Sequence, residues 1–102
     1  MNKVEKEFWD KGIVQPGGLW IIFLKAIAIE FVEACRRESI EILGIDGFLL
    51  HPNNRIQPFQ EYSIDFSSKS YPKKVEFNCW DEAKMFLQNQ SNEFYFEIVC
   101  DG

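Results

Sequence analysis

Residues 44–66 read GIDGFLLHPNNRIQPFQEYSIDF. Two runs of Ile, Leu, Phe and Tyr flank His51-Pro52-Asn53-Asn54, whose composition marks a turn. The first run extends back to Ile40 and reads as one strand over 40–50, bent or bulged at Gly44 or Gly47. The second, Phe59 to Phe66, reads as its hairpin partner. Side chains alternate between the faces of a strand, so the hydrophobic pattern restricts the register. Pairing Ile45 with Phe66, Gly47 with Ile64 and Leu49 with Tyr62 places apolar residues on one face. The other face then carries Asp46, Phe48, Leu50, Glu61, Ser63 and Asp65. A one-residue slip scatters Asp and Glu into the core. In the favoured register Asp46 lies opposite Asp65, and like charges directly opposed are unfavourable. A basic side chain, a bound cation or a basic partner is expected to compensate.

Upstream of the hairpin, Gln15-Pro16-Gly17-Gly18 is a strong break. From Leu19 to about Glu38 the pattern predicts a helix. Glu30, Glu33 and Arg37 fall on one face, and most of the remaining surface is apolar. Such a helix lies across something flat, most plausibly a sheet. Residues 2–9 form either a short helix or a loose segment. Downstream, Val75 to Phe77 suggests a short edge extension. Asn78 is a candidate cap for a helix over about Trp80–Gln90, with Asp81 and Glu82 in its first turn. Asn89 to Asn92 turns the chain. Phe94 to Val99 closes it as a last strand, with Phe94, Phe96 and Ile98 on one face. The fold expected is α+β: a small, mainly antiparallel sheet of three or four strands, with a long helix and a shorter helix packed on one face. The 102 residues are read as one domain, 1–102, since no stretch has linker composition.

The net charge of −5 disfavours nucleic acid, which requires a basic stripe, and disfavours an anionic membrane surface. It favours a basic partner. The N-terminal MNKVEKEFWDKG mixes both charge signs, unlike a signal peptide. The apolar run from Leu19 to Ala34 is interrupted by Lys25, Glu30 and Glu33, too soon for a membrane span. Cys35, Cys79 and Cys100 are odd in number and form no zinc-ligand spacing. Free thiols point to a reducing compartment, and Cys35 falls within a helical apolar pattern as a buried structural thiol.

Motifs for catalysis are missing from the sequence. The single His, His51, stands beside a turn proline. No serine lies in a nucleophile elbow, and Gly17-Gly18 does not extend to a phosphate-binding loop. No cofactor and no metal site is expected, and binding is preferred to catalysis. Asp46 and Asp65 leave open a small hydrolase or metal-dependent enzyme. A structural or regulatory adaptor that self-associates is the other alternative. Aromatics at element ends or in loops, namely Trp9, Trp20, Phe59, Tyr71 and Trp80, have either a core or an interface role.

The stretches FVEACRRESIEILGIDGFLL (31–50), EYSIDFS (61–67), CWDEAKMFLQNQ (79–90) and FYFEIV (94–99) together resemble small immunity proteins of bacterial polymorphic-toxin systems, including those of contact-dependent growth inhibition. Ile40, Ile42, Leu43, Gly44 and Asp46 carry the first part of the likeness. Tyr62, Ser63 and Asp65 carry the second, and Trp80, Ala83, Phe86 and Leu87 the third. The resemblance spans roughly residues 28–99. It implies a cytoplasmic, non-enzymatic antidote that binds and neutralises its cognate toxin domain, often a nuclease with a basic cleft. The partner-binding residues expected on that reading are the acidic Asp46, Glu61 and Asp65 and the aromatic anchors Phe59, Tyr62 and Trp80. A homodimer is also compatible with it.

Overall fold

The computed structural model describes residues 1–18, 20–67 and 77–101. The elements run α1 (Lys3–Phe8), β1 (Ile13–Val14), β2 (Ile21–Leu24), α2 (Lys25–Arg37), β3 (Ile42–Leu50), β4 (Ile56–Asp65), α3 (Cys79–Gln88) and β5 (Phe94–Cys100). A short 3-10 turn over Pro52–Asn54 joins β3 to β4. The strands form one five-stranded sheet in the order β1-β2-β5-β3-β4, with every pairing antiparallel. The α+β class and the antiparallel sheet agree with the sequence. The sheet has five strands where three or four were expected.

Of the strands not expected, β1 lies just before the break at Gln15–Gly18, and β2 comes from the segment read as the start of the long helix. Ile21, Ile22 and Phe23 are buried, and β2 pairs with β5 through Phe23 opposite Phe96. A continuous apolar run serves a strand buried on both faces as well as a buried helix, and periodicity alone does not separate the two. The helix itself begins at Lys25. Ala28, Phe31, Val32, Ala34 and Cys35 form its buried stripe, and Arg36 and Arg37 occupy its last turn, where cations complement the dipole.

All three helices put their buried side chains into one core on the same sheet face. Val4 and Phe8 of α1 join Phe31 and Val32 of α2, Ala83 and Leu87 of α3, and Phe23, Ile45, Phe96 and Ile98 of the sheet. Phe8, Phe23 and Phe31 pack as a ring cluster, with centroids 5.3–6.3 Å apart. Asn2 caps α1 in a reciprocal box with Glu5. Asn78 caps α3, as its sequence position predicts, its side chain accepting the N–H groups of Trp80 and Asp81 at 3.0 Å. At the other end of α3, Lys25 donates to the carbonyls of Gln88 and Gln90 at 3.2 and 2.8 Å. The ion pairs Arg36–Asp81 (2.8 Å) and Glu33–Lys84 (3.1 Å) link α2 to α3 on the solvent side. The expected edge extension at Val75–Phe77 lies outside the described residues except for Phe77, which is not in a strand and packs on Phe66 at 5.5 Å. Tyr71 also lies outside them. Among the described residues, no helix is long and apolar enough to cross a membrane.

Candidate functional site

The hairpin of β3 and β4 departs from the register expected of it. Ile45 pairs with Ile64, and Gly44 with Asp65; beyond a shift, Gly47 pairs with Phe59, and the ladder continues to Leu50 opposite Ile56. Between the two registers β3 contributes Asp46 alone, while β4 contributes Gln60, Glu61, Tyr62 and Ser63. The strand therefore swings out over four residues opposite one. Asp46 does not oppose Asp65. It opposes Glu97 of β5. The expected register requires an unbroken second strand, and the outswing of β4 breaks it.

Gly47 explains how the outswing fits. A Cβ on Gly47 would stand 2.6 Å from Tyr62 Cβ and would collide with the Tyr62 carbonyl oxygen. The missing side chain is the space into which the chain folds back. Tyr62 thereby returns to the helix-facing side, its ring centroid 4.1 Å from that of Phe94 and 5.7 Å from that of Phe59. Ser63 fastens the base of the loop. Its Oγ accepts the Gly47 N–H at 3.1 Å and lies 2.9 Å from the Phe59 carbonyl.

The face turned away from the helices carries the acidic groups. Pairing puts Asp46 and Glu97 side by side there, and Asp65, opposite Gly44, falls on the same face. Burial pushes the Asp46 carboxyl above its ordinary range, the charge of Asp65 adds to this, and the Ser63 hydrogen bond opposes it. Glu97 is likewise raised, first by burial and then by the charge of Asp46. The Asp65 carboxylate accepts from the Ser67 backbone N–H at 2.9 Å and hydroxyl at 2.6 Å, which fixes its position at the end of β4. Two adjoining shallow concavities, of about 300 and 430 Å³, share Asp46 and Asp65 in their walls. Around the acids the face is apolar and aromatic. Leu24 and Val99 are 46% and 38% exposed, Tyr95 is half-buried, and Trp20 lies over Phe48 with ring centroids 5.4 Å apart.

The structure thus brings Asp46 and Asp65 together on one face and adds Glu97. It sets Glu61 in the exposed outswing and places Phe59 and Tyr62 on the other side of the sheet, half-buried against Phe94. Trp80 stands apart from all of these. Its indole Nε1 donates to the Ile40 carbonyl at 2.8 Å, tying the start of α3 to the chain just before β3. The alternation of Phe94, Phe96 and Ile98 already assigns Glu97 to the outer face. What the sequence lacked was a signal that β5 inserts beside β3. Among the described residues, no group of three or more His, Cys, Asp or Glu side chains is arranged to hold a metal ion. No known family model matches the chain, and no curated protein matches it in sequence.

Proposed function

We propose that this chain is a cytoplasmic antidote protein that binds a basic toxin domain of a bacterial polymorphic-toxin system through the sheet face turned away from its helices. One observation carries the reading. Asp46 and Glu97 are held side by side on that face, partly desolvated and at the cost of mutual repulsion. A Lys or Arg brought by a partner relieves that repulsion and replaces lost hydration with charge-assisted hydrogen bonds. The exposed Leu24 and Val99 supply apolar contact beside them. Glu61, exposed in the outswing, extends the negative field along β4. Phe59 and Tyr62, packed with Phe94 on the other side of the sheet, fall outside this surface, and Trp80 is assigned a structural role.

The test is co-expression of the full chain with the toxin domain encoded beside it. Growth is restored and the two proteins co-purify. The double substitution Asp46→Asn with Glu97→Gln keeps the fold and weakens the complex by about 30-fold or more, in the range seen for close interfacial charge pairs. A cell that still dies, with no complex recovered, rejects the reading.

The same raised carboxyl favours a second reading, a small hydrolase in which Asp46 is a general acid beside Asp65. That reading requires turnover by the isolated chain which Asp46→Asn abolishes. The antidote reading requires that Asp46→Asn affect binding alone.

A further inference from the structure

Two residues at the tip of the outswing do nothing to hold the fold together. Gln60 and Glu61 are exposed, and neither side chain makes a hydrogen bond or an ion pair among the described residues. The residues on either side of them are tied down. The Phe59 ring packs 6.1 Å from that of Phe94, and the Tyr62 ring 4.1 Å from it. The Ser63 hydroxyl donates to the Phe59 carbonyl at 2.9 Å and accepts the Gly47 N–H at 3.1 Å, which joins both ends of the outswing to each other and to β3. Gln60 and Glu61 are therefore presented on a closed loop. A contact segment already held in one conformation loses less conformational freedom when it binds. The tip also stands at the acidic face. Gln60 lines the same concavity of about 430 Å³ as Asp46, Asp65 and Ser63, on the side of β4, an outer strand of the sheet. The cost to the fold is an interrupted ladder, four residues of β4 against one of β3, and no burial at the tip offsets it.

We infer that the Gln60–Glu61 tip is the element that enters the basic cleft of the toxin domain, where the Glu61 carboxylate pairs with a Lys or Arg and the Gln60 amide bonds polar groups beside it. This rests on the antidote reading and adds a division of labour to it. Asp46 and Glu97, on the sheet itself, attract a basic surface; the tip fixes where on that surface the chain docks. Charge complementarity selects the occupant. The chain carries a net charge of −5, and here an acidic prominence stands beside an acidic concavity. Nucleic acid is repelled by it, and a second copy of the chain would bring the same charges against it. A cationic cleft gains a charge-assisted hydrogen bond to Glu61, in a loop that does not have to be ordered first. Ser63 is the positioning residue of the tip, and Glu61 is its contact.

The experiment measures association and dissociation rates of the full chain with the toxin domain encoded beside it, for wild type, for Gln60→Ala with Glu61→Ala, and for Glu61→Lys. Urea melts of each chain accompany the rates. The double substitution leaves the urea midpoint where it was and raises the off-rate about tenfold or more, as truncation of a central interface contact does. Glu61→Lys weakens the complex further. Each Lys and Arg of the toxin cleft is then reversed to Glu in turn, and one of these reversals restores binding to the Glu61→Lys chain while weakening binding to wild type. A reversal on the toxin does not repair a folding defect in its partner, so the rescue decides the matter even if a substitution at the tip shifts stability. If the tip variants bind as wild type does while Asp46→Asn with Glu97→Gln weakens the complex, the inference is overturned and the antidote reading stands. Weakened binding that no reversal rescues also overturns the pairing of Glu61 with a cleft cation. If wild type itself forms no complex, the antidote reading fails and the inference falls with it.

Discussion

Gly47 concentrates the constraints of the hairpin in one residue. Its α-hydrogen faces Tyr62, and the outswing of β4 exists only because nothing larger is there. Gly47→Ala forces Tyr62 off Phe94 or opens the β3–β5 ladder, and overpacking of this kind costs about 1–3 kcal/mol. The expected result is a lower urea midpoint, and a loss of partner binding no larger than the loss of fold. Asp46 behaves in the opposite sense. Its folded-state pKa, and that of Glu97, lie above the ordinary values of 3.8 and 4.5. The folded chain therefore holds these protons more tightly than the unfolded chain does. Below both ordinary values the two carboxyls are protonated in either state and contribute no penalty. The penalty enters as pH rises through those values and is complete above the folded-state pKa. For these two groups, then, stability rises as the pH falls from neutral toward about 4. The Asp46→Asn chain is more stable than wild type at pH 7, and that advantage shrinks as the medium is acidified. Urea melts at several pH values measure it, and an advantage independent of pH would remove the burial and repulsion of the ionised carboxylates as its cause.

At the scale of elements, legibility follows how local the signal is. The cap of α3 is a local signal: Asn78 with two acidic residues behind it predicts a helix start, and the side chain accepts the two N–H groups expected of a cap. Asn78→Ala leaves both without that acceptor and lowers stability by about 1 kcal/mol, read as a shift of the thermal midpoint. The pattern of β5 was equally local, and its extent matches to within a residue. The segment from residue 19 to residue 24 was not legible, because Ile-Ile-Phe-Leu satisfies a buried strand and a buried helix alike. What decides it is the β5 edge waiting at Phe96 and Tyr95, a contact distant in sequence. The hairpin sits between these cases. Both strands were readable, and the glycines pointed to a bulge in the first, but the four-residue outswing of the second was not. It depends on Ser63 closing the loop and on Phe94 receiving Tyr62.

For the whole molecule, the candidate surface depends on topology more than on composition. The sequence marked Asp46, Asp65 and Glu61 as an acidic patch, but the order β5-β3-β4 is what places Glu97 beside Asp46. Association through such a face is steered by long-range charge, so its on-rate with a basic partner falls steeply between low and physiological salt while the off-rate changes little. Stopped-flow mixing at several ionic strengths gives both rates, and an on-rate indifferent to salt would mean that the acidic face is not the one that docks. The outswing in β4 has a consequence of another kind. Among the described residues β4 is an outer strand of the sheet, where unpaired backbone groups invite a strand from a second copy. An incoming strand meets Pro58, which has no N–H to offer, and then a segment from Gln60 to Ser63 that leaves the plane of the sheet. No continuous ladder can be laid along that edge, so the outswing also guards the chain against edge-to-edge aggregation.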